Sequence, residues 1–280
     1  MKTVTLAALL AFPLLPLSTT VSLALPLALC ACDEPSAAPA APEAAAPAPA
    51  PTPAPTPVEA AAPAPAFVKK LASDCKPHAA TVDFGDDAAL EKEVRRKLSK
   101  DKGPITPGDL AQIKSINLSQ ETIHQVDPCI FPMLTGMKDL FLGSGDYDDL
   151  SPLAKLSNME SLRASGSLVK DLHPLAGLKR MDRLDVSHTL IGDDDLKAIA
   201  GLVNVTELML DEDSIADLSP VTGMKKLERL SIKKTRVQNL APIAGIRTLK
   251  FLYIADSAVS DISPVQPLIS GGMKLVTTEN

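Results

Sequence analysis

A period of about 22 residues runs through the chain from residue 113 onward and constrains its fold more than any other feature. Six prolines mark the period, spaced 24, 22, 46, 22 and 22 residues apart: Pro128, Pro152, Pro174, Pro220, Pro242 and Pro264. The gap of 46 equals two periods with one proline missing. Such a chain builds similar units that must stack, because one unit alone cannot bury its apolar face.

Each period also contains an L-x-x-L-x-L segment, whose alternating L-x-L part predicts a short strand with one face turned inward. The first apolar residue of each predicted strand falls at one phase of the repeat: Ile116, Leu140, Leu162, Leu184, Leu208, Leu230 and Leu252. The proline segment is predicted to return the chain along the convex side, where no strand hydrogen bond is lost.

This pattern resembles the leucine-rich repeat family, in the short form of bacterial internalin-like proteins, over roughly residues 113 to 265. The resemblance implies an α/β-type solenoid of about seven 22–24-residue repeats with a concave parallel sheet. The family often has Asn after the strand, and here that position varies: Glu121, Gly145, Ser167, Thr189, Asp213, Thr235 and Ser257. We expect Ser, Thr and Asp to bond the backbone locally, and Glu121 and Gly145 to weaken the first two turns.

The fourth unit replaces its proline segment with GDDDLKAIAGL, residues 192–202. Asp193, Asp194 and Asp195 precede a helical pattern, which predicts a short convex helix with acids at its positive end. A calcium loop is the alternative, but the segment lacks the spaced Asp, Gly and Glu residues of such loops. We therefore expect no metal site and no cofactor.

Two short helical patterns precede the repeats and predict a helical N-terminal cap over residues 67–112, ahead of the repeat domain at 113–280. The first pattern has one apolar stripe of Leu90, Val94 and Leu98, with Asp86 or Asp87 available as its cap. The second has the residues of a capping box and a helix-starting proline: Thr106, Pro107 and Asp109. The C-terminal MKLVTTEN predicts one last strand without a cap.

The first 31 residues are apolar and end beside two cysteines, which is typical of an export signal. A transmembrane helix is the alternative, and Pro13, Pro16 and Pro26 argue against it. The end of this segment resembles a bacterial lipoprotein signal. The resemblance implies cleavage before Cys32 and acylation of its sulfur, with Cys30 as the poorer candidate and ordinary cleavage after an alanine as the remaining option.

Residues 32–66 hold the expected anchor cysteine and then almost only Pro, Ala, Thr and Glu. This composition cannot bury a core, and dense proline makes an extended spacer of about 3.1 Å per residue. We expect such a spacer to hold the domain away from the membrane. The lipid would anchor the chain, because each CH₂ group that it buries in the bilayer contributes roughly 0.8 kcal/mol.

Cys75 and Cys129 are the two cysteines that follow the spacer. An exported protein meets an oxidising compartment, where an even pair of cysteines is most simply a disulfide. We expect this bond to attach the segment before the cap to the convex turn of the first repeat. Two buried free thiols are the alternative.

Catalytic signatures are missing: the chain has no H-E-x-x-H, G-x-S-x-G, P-loop or C-x-x-C motif. His188 is the histidine expected on the concave side, and Asp185 is the acid expected near it. These two residues do not make a triad, so we expect no enzyme activity. The formal net charge of −6 argues against general nucleic-acid binding, which needs a basic face.

Stacked strands place equivalent residues about 4.8 Å apart, so the columns of the concave face can be predicted. Opposite charges recur one strand apart, as in Arg163 with Asp185 and Asp211 with Lys233, which indicates cross-strand pairs worth about 0.2–1 kcal/mol each. Aromatic residues are only 3% of the chain, yet Phe251 and Tyr253 both fall near Met209 on this face. The predicted partner-binding residues are Met209, Phe251, Tyr253, Arg229, Lys233, Asp211, Phe141 and Arg163.

Exposed aromatics with flanking charges are typical of protein-binding surfaces. The alternative is that the aromatics only pack against the MKLV strand. The sequence therefore predicts a monomeric, lipid-anchored lipoprotein of the cell envelope that recognises an unidentified protein partner outside the cytoplasm. A surface adhesin for another cell or a host, and a structural or accessory protein of the cell envelope, are the alternatives left open.

Overall fold

The computed structural model describes residues 69–76 and 80–278. The predicted export signal (1–31) and the anchor and spacer (32–66), with Cys30 and Cys32, lie outside the described residues and stay predictions. Within 69–76 and 80–278, every helix is too short or too polar to cross a membrane.

Between residues 80 and 278, eight short strands form one parallel sheet whose spatial order is the chain order. The strands are β1 (Ser115–Leu118), β2 (Asp139–Leu142), β3 (Ser161–Arg163), β4 (Arg183–Asp185), β5 (Glu207–Met209), β6 (Arg229–Ser231), β7 (Phe251–Tyr253) and β8 (Lys274–Val276). One face of this sheet forms the concave surface of a solenoid, as the repeat predicted, and β8 is the expected last strand.

The strands are held in register by the apolar column that the repeat predicted. Ile116 pairs with Leu140 and Leu230 with Leu252, and the other members pair in the same way from strand to strand. Every member of the column is at most 1% exposed. Burial of one such side chain stabilises the fold by about 2 kcal/mol, and a shift of one residue would turn the whole column to solvent.

On the convex side, short 3-10 helices return the chain, and a proline lies in the first turn of each: Phe131–Met133, Ser151–Leu153, His173–Leu175, Ser219–Gly223, Ala241–Ile243 and Ser263–Val265. Asp149, Asp217 and Asp261 each accept a hydrogen bond from the backbone N–H two residues later at 2.7–2.8 Å, which starts the turn. In the first repeat Pro128 keeps the predicted spacing from its strand, but it lies in a turn, and the 3-10 helix begins at Phe131 with Pro132 in its first turn.

The predicted convex helix of the fourth repeat is α3, Asp193–Ala198, and its three acids have separate contacts. Asp193 accepts hydrogen bonds from the backbone N–H groups of Ala216 and Asp217, at 2.8 and 2.9 Å. Asp195 accepts one from Gly192 N at 2.9 Å, and Asp194 pairs with Lys197. These acids stabilise the helix start and the next repeat. No group of three or more metal-ligating side chains occurs within the described ranges.

Two helices cover the N-terminal end of the sheet: α1, Ala88–Leu98, and α2, Pro107–Gln112. Asp87, rather than Asp86, caps α1 by accepting from Leu90 N at 2.9 Å. Thr106 and Asp109 form the predicted capping box of α2. Hydrogen bonds from Thr106, and then from Lys100, lower the pKa of Asp109 to about 2.

Glu93 joins α1 to the first edge of the sheet. Its Oε1 accepts a hydrogen bond from Asn117 N of β1 at 3.2 Å, and both of its oxygens accept from Arg96 at 2.7 Å. Since the first strand lacks a neighbour on one side, this buried carboxylate provides an acceptor that a further strand would otherwise supply. The hydrogen bond from Arg96 lowers the pKa of Glu93.

The segment before the cap is fastened to the first repeat by a disulfide between Cys75 and Cys129, as the sequence predicted. Lys70 reinforces the attachment, because its backbone N–H donates to Gln125 and its ammonium group lies 2.9 Å from Asp127 Oδ2. A closed loop of this length restricts the unfolded chain by about 4 kcal/mol in the entropy model. Any pull on the N-terminal segment is therefore carried into the repeats.

Gly145 corrects one expectation about the first two turns. A Cβ atom on Gly145 would lie 1.8 Å from the carbonyl oxygen of Ile123, and Ile123 and Gly145 form a parallel bridge. The glycine therefore lets the second turn approach the first closely, rather than weakening it. In later turns the same position bonds its own backbone, as expected: Ser167, Thr189, Thr235 and Ser257 each donate to the carbonyl three residues earlier.

Asp213 occupies this turn position in the fifth repeat and is 4% exposed. Its Oδ1 accepts from Thr189 N at 2.8 Å and from Thr189 Oγ1 at 3.0 Å. Its Oδ2 is shielded from solvent and has no hydrogen-bond partner within residues 69–76 and 80–278. Burial, with smaller contributions from the nearby Asp211 and Asp185, outweighs the hydrogen bonds from Thr189 and raises the pKa of Asp213 to about 7.

We predict that Asp213→Asn removes a pH-dependent loss of stability. The folded state binds the Asp213 proton more tightly than the unfolded chain, whose pKa is 3.8, so the wild type loses stability as pH rises from about 4 to 7. A difference of this size corresponds to roughly 2–4 kcal/mol. Urea unfolding at pH 4 and at pH 8 should show similar stabilities at pH 4 and a more stable variant at pH 8.

Asp256→Asn is the matched control, because Asp256 is an exposed acid in a nearby turn. That variant should follow the wild-type curve across this pH range. Parallel curves for Asp213→Asn and the wild type would contradict the interpretation that Asp213 is protonated on folding.

Candidate functional site

The predicted binding residues all lie on or beside the concave face, but the structure separates them into three groups. Phe141, Arg163 and Met209 surround a depression of about 210 Å³ over β2 to β5. Arg229, Phe251 and Tyr253 lie at the C-terminal end of the sheet, and Asp211 and Lys233 follow β5 and β6. The first two groups, the depression and the aromatic C-terminal end, are separate features of the concave face.

The depression has a floor of strand residues and a mixed rim. Leu162, Leu184 and Ser161 form its floor, and Phe141 and Met209 stand at opposite sides. Across its centre, Arg163 Nε lies 3.2 Å from Asp185 Oδ2. Since the arginine side chain is 54% exposed while the aspartate is 16% exposed, the pair leaves the guanidinium group open to solvent.

The C-terminal centre is aromatic and is built on β6, β7 and β8. Phe251 and Tyr253 point to the same face, and their rings stack with centroids 6.4 Å apart. Arg229 lies on one side of Phe251, with its guanidinium carbon 5.3 Å from the ring centroid, and Lys274 Nζ lies 5.6 Å from the same centroid. Both aromatic residues are half-buried, so packing against β8 covers them only in part.

Met209 is separated from Tyr253 by one small residue. The register places Ser231 of β6 between Met209 and Tyr253, and Ser231 is buried. Met209, Phe251 and Tyr253 therefore do not form one continuous patch. The two aromatic residues form the C-terminal end, whereas Met209 lies about two strand spacings away and belongs to the depression.

The expected cross-strand charge pairs are present. Lys233 lies 3.1 Å from Asp211, Lys234 lies 2.9 Å from Glu212, and the third pair, Lys250 with Glu228, is separated by 2.7 Å. The pairs on either side of Glu207 are looser: Arg183 and Arg229 lie 3.9 and 3.8 Å from its carboxylate. Such exposed pairs contribute little to stability. Because their distances to Glu207 are longer, Arg183 and Arg229 are more available for other contacts.

Asp211 has a structural role that the sequence did not indicate. Its Oδ1 accepts hydrogen bonds from Ser231 Oγ at 2.5 Å and from Lys233 N at 2.8 Å, and its side chain is 14% exposed. The Lys233 side chain is 34% exposed and pairs with Asp211 through its ammonium group. Of these two predicted binding residues, Asp211 therefore holds β5 to β6, while Lys233 presents its ammonium group outward.

His188 pairs with Glu212 rather than with Asp185, which corrects the expected neighbour. The distance from His188 Nδ1 to Glu212 Oε2 is 3.1 Å. His188, Glu212, Lys234 and Asp256 are equivalent turn residues with positive φ of 53–61°, in the column where the third repeat has Gly166. This left-handed conformation costs a non-glycine residue about 1–2 kcal/mol.

No protein-family model matches the chain, and no curated protein matches it in sequence. Solved structures do match it. Internalin C2 of Listeria monocytogenes is 27% identical with a TM-score of 0.61, over 69% of this chain and 93% of that one. Internalin F of the same organism is 25% identical with a TM-score of 0.60, over 66% of this chain. This chain spans about half, 54%, of the internalin F chain.

The parallel sheet, the repeated convex turns and these neighbours define the fold as a leucine-rich repeat solenoid. The similarity to internalins supports a role in protein–protein recognition in general. A rigid, stacked sheet suits this role, because each strand adds an outward-facing residue at a fixed spacing.

We predict that Asp211→Ala destabilises the domain much more than Lys233→Ala. Loss of the carboxylate leaves the buried Ser231 hydroxyl and the Lys233 N–H without their acceptor, which costs about 2–3 kcal/mol. Loss of the lysine removes one partly exposed ion pair worth at most about 1 kcal/mol. Urea unfolding of both variants at pH 7 measures the difference, and equal losses would show that Asp211 acts only through the ion pair.

Proposed function

We propose that this chain is a lipid-anchored leucine-rich repeat protein that recognises a protein partner outside the cytoplasm. In this proposal Cys32 carries the lipid, residues 33–66 form the spacer, and the concave sheet makes the contact. The role is recognition rather than catalysis.

The half-exposed aromatic pair at the C-terminal end of the concave sheet is the observation that carries the proposal. Phe251 and Tyr253 are stacked on each other, yet neither is buried in the core. Aromatic side chains that stay partly exposed on a rigid face are the usual anchors of protein interfaces, because they bury a large area at little entropic cost.

The N-terminal attachment supports the anchored arrangement. Lys70 and the Cys75–Cys129 disulfide fix the segment that follows the spacer to the first repeat. The aromatic end lies on β7, at the far end of the sheet from β1. Seven strand spacings of about 4.8 Å separate the first and last strands, so an N-terminal tether leaves the aromatic end far from the attachment point.

We predict that Cys32→Ser abolishes lipid attachment. In cells fed a radiolabelled or clickable fatty acid, the wild type should incorporate the label and partition into the detergent phase, because several acyl chains hold a protein firmly to a bilayer. The variant should lose the label and stay in the aqueous phase.

Cys30→Ser is the control and should keep the label. Label that persists in Cys32→Ser and disappears in Cys30→Ser would assign the lipid to Cys30. Loss in neither variant would contradict lipid anchoring at these cysteines.

We predict that crosslinking in the native envelope captures a protein partner through the aromatic end. A photocrosslinking amino acid at Lys250, an exposed residue directly before Phe251, should yield a discrete adduct. The same group at Thr222, an exposed convex residue, is the control and should yield none. Adducts from Thr222 alone would show that the convex side makes the contact.

Protease treatment of intact cells in the same experiment distinguishes a surface adhesin from a protein that faces the periplasm. Digestion of the chain on intact cells favours the adhesin, since the protease does not cross the outer surface. Binding of the purified protein to peptidoglycan in the absence of any captured protein would favour a structural or accessory role in the envelope instead.

A further inference from the structure

Arg229 is a cation that its own surroundings leave unsatisfied. Its guanidinium group makes no hydrogen bond with any residue in 69–76 or 80–278, and its Nε is shielded from solvent without a partner there. The carboxylate of Glu207 lies 3.8 Å from Nη1, beyond hydrogen-bonding distance. A guanidinium group carries five N–H donors in a fixed fork, so this one retains unused capacity for a carboxylate.

Lys274 provides a second such cation on the other side of the same ring. It is exposed, and no carboxylate in the described part of the chain lies within ion-pair distance of it. Other concave lysines differ, since Lys233 and Lys234 each lie within 3.1 Å of an acid. The sequence did not indicate Lys274, because the segment before β8 leaves the 22-residue phase and pairs Phe251 with a residue 23 positions later.

Phe251 holds the two cations apart and supplies the apolar part of the surface. The register places it between Arg229 of β6 and Lys274 of β8. The electron-rich faces of the ring stabilise neighbouring cations by about 0.5–1 kcal/mol each at exposed sites. Tyr253 extends the apolar surface from the adjacent position of β7, and its hydroxyl group makes no hydrogen bond within the described residues.

The charge around the cluster limits what it can bind. Glu207 lies beside Arg229, Asp211 lies beside Lys233, and the whole chain has a formal net charge of −6. Nucleic acids and other polyanions need a continuous basic face and would be repelled by these acids. Two separate cations around an aromatic pair suit isolated carboxylates beside an apolar side chain, which is the chemistry of an acidic protein segment.

We propose that Arg229, Phe251, Tyr253 and Lys274 bind an acidic segment of the partner protein. An apolar side chain of that segment lies on the two rings, and its neighbouring carboxylates accept hydrogen bonds from Arg229 and Lys274. This inference rests on the proposed function, because it assigns the chemistry of the partner at the same face.

The two tyrosines of the chain provide a direct test. Tyr147 is buried in the core at 1% exposure, whereas Tyr253 belongs to the cluster. The full-length protein in non-ionic detergent, labelled with 3-fluorotyrosine, should give two ¹⁹F resonances, which Tyr253→Phe assigns. The probe is the peptide acetyl-Asp-Leu-Glu-amide, and the matched control peptide is acetyl-Asn-Leu-Gln-amide.

The acidic peptide should shift the Tyr253 resonance to saturation and leave the Tyr147 resonance in place. The amide peptide should bind at least tenfold more weakly, and added NaCl should weaken the acidic peptide. Arg229→Gln and Lys274→Gln should each weaken binding about tenfold, whereas Lys225→Gln, which removes an exposed cation before β6, should not. An unchanged Tyr147 resonance in each variant shows that the core is intact.

Equal binding of the two peptides would overturn the inference and leave a merely apolar surface, and no shift with either peptide would also overturn it. A larger effect of inorganic phosphate than of the acidic peptide would overturn it in favour of a phosphate site. If a partner is crosslinked at Lys250 and the yield is unchanged by Arg229→Gln and Lys274→Gln, this inference is wrong and the proposed function still stands. Peptide binding without any crosslinked partner would support the binding chemistry of the cluster and contradict the proposed function.

Discussion

The stacking of one apolar column, from Ile116 to Leu252, is the interaction on which the rest of this molecule depends. Each of its side chains is buried against the equivalent side chains of adjacent strands, so no repeat is stable alone. Because the side chains of a strand alternate between two faces, the same column fixes which residues face outward. The spacing of Arg163 from Asp185, or of Arg229 from Phe251, follows from this core contact rather than from any local preference.

This dependence explains why much of the fold could be predicted from the sequence and why parts of the site could not. The spacing of the repeats predicted the strands and the buried column that contains Leu162 and Leu184. The residue types at a helix start predicted the capping box of Thr106 and Asp109. Lys274 was missed because α4, Gln266–Ser270, precedes β8 and shifts its phase by one residue. The role of Asp211 was missed because a pattern of opposite charges does not show which carboxylate also accepts backbone and hydroxyl donors.

The roles of several turn residues also could not be predicted from the sequence. Gly145 departs from the family pattern, and its value is visible only once the carbonyl of Ile123 is placed beside it. The left-handed residues Glu212 and Lys234 give no sequence signal, since glycine is the usual residue there. Their conformation is enforced by strand hydrogen bonds on both sides, as when Glu212 N donates to Lys233 O at 2.8 Å. The solenoid therefore tolerates local strain because the repeats hold each turn in place.

The two edge strands of the sheet differ in how well they are covered, and this difference bears on function. Helix α1 covers β1 and supplies Glu93 as an acceptor for Asn117 N, so the first edge is closed to other strands. At the other end, Leu275 and Val276 of β8 are only half-buried, and Lys274 is exposed. A partner bound across Arg229, Phe251 and Lys274 would contact the last three strands together. Its binding energy would then stabilise the end of the solenoid that has the fewest neighbours, because a ligand that binds only the folded form stabilises that form.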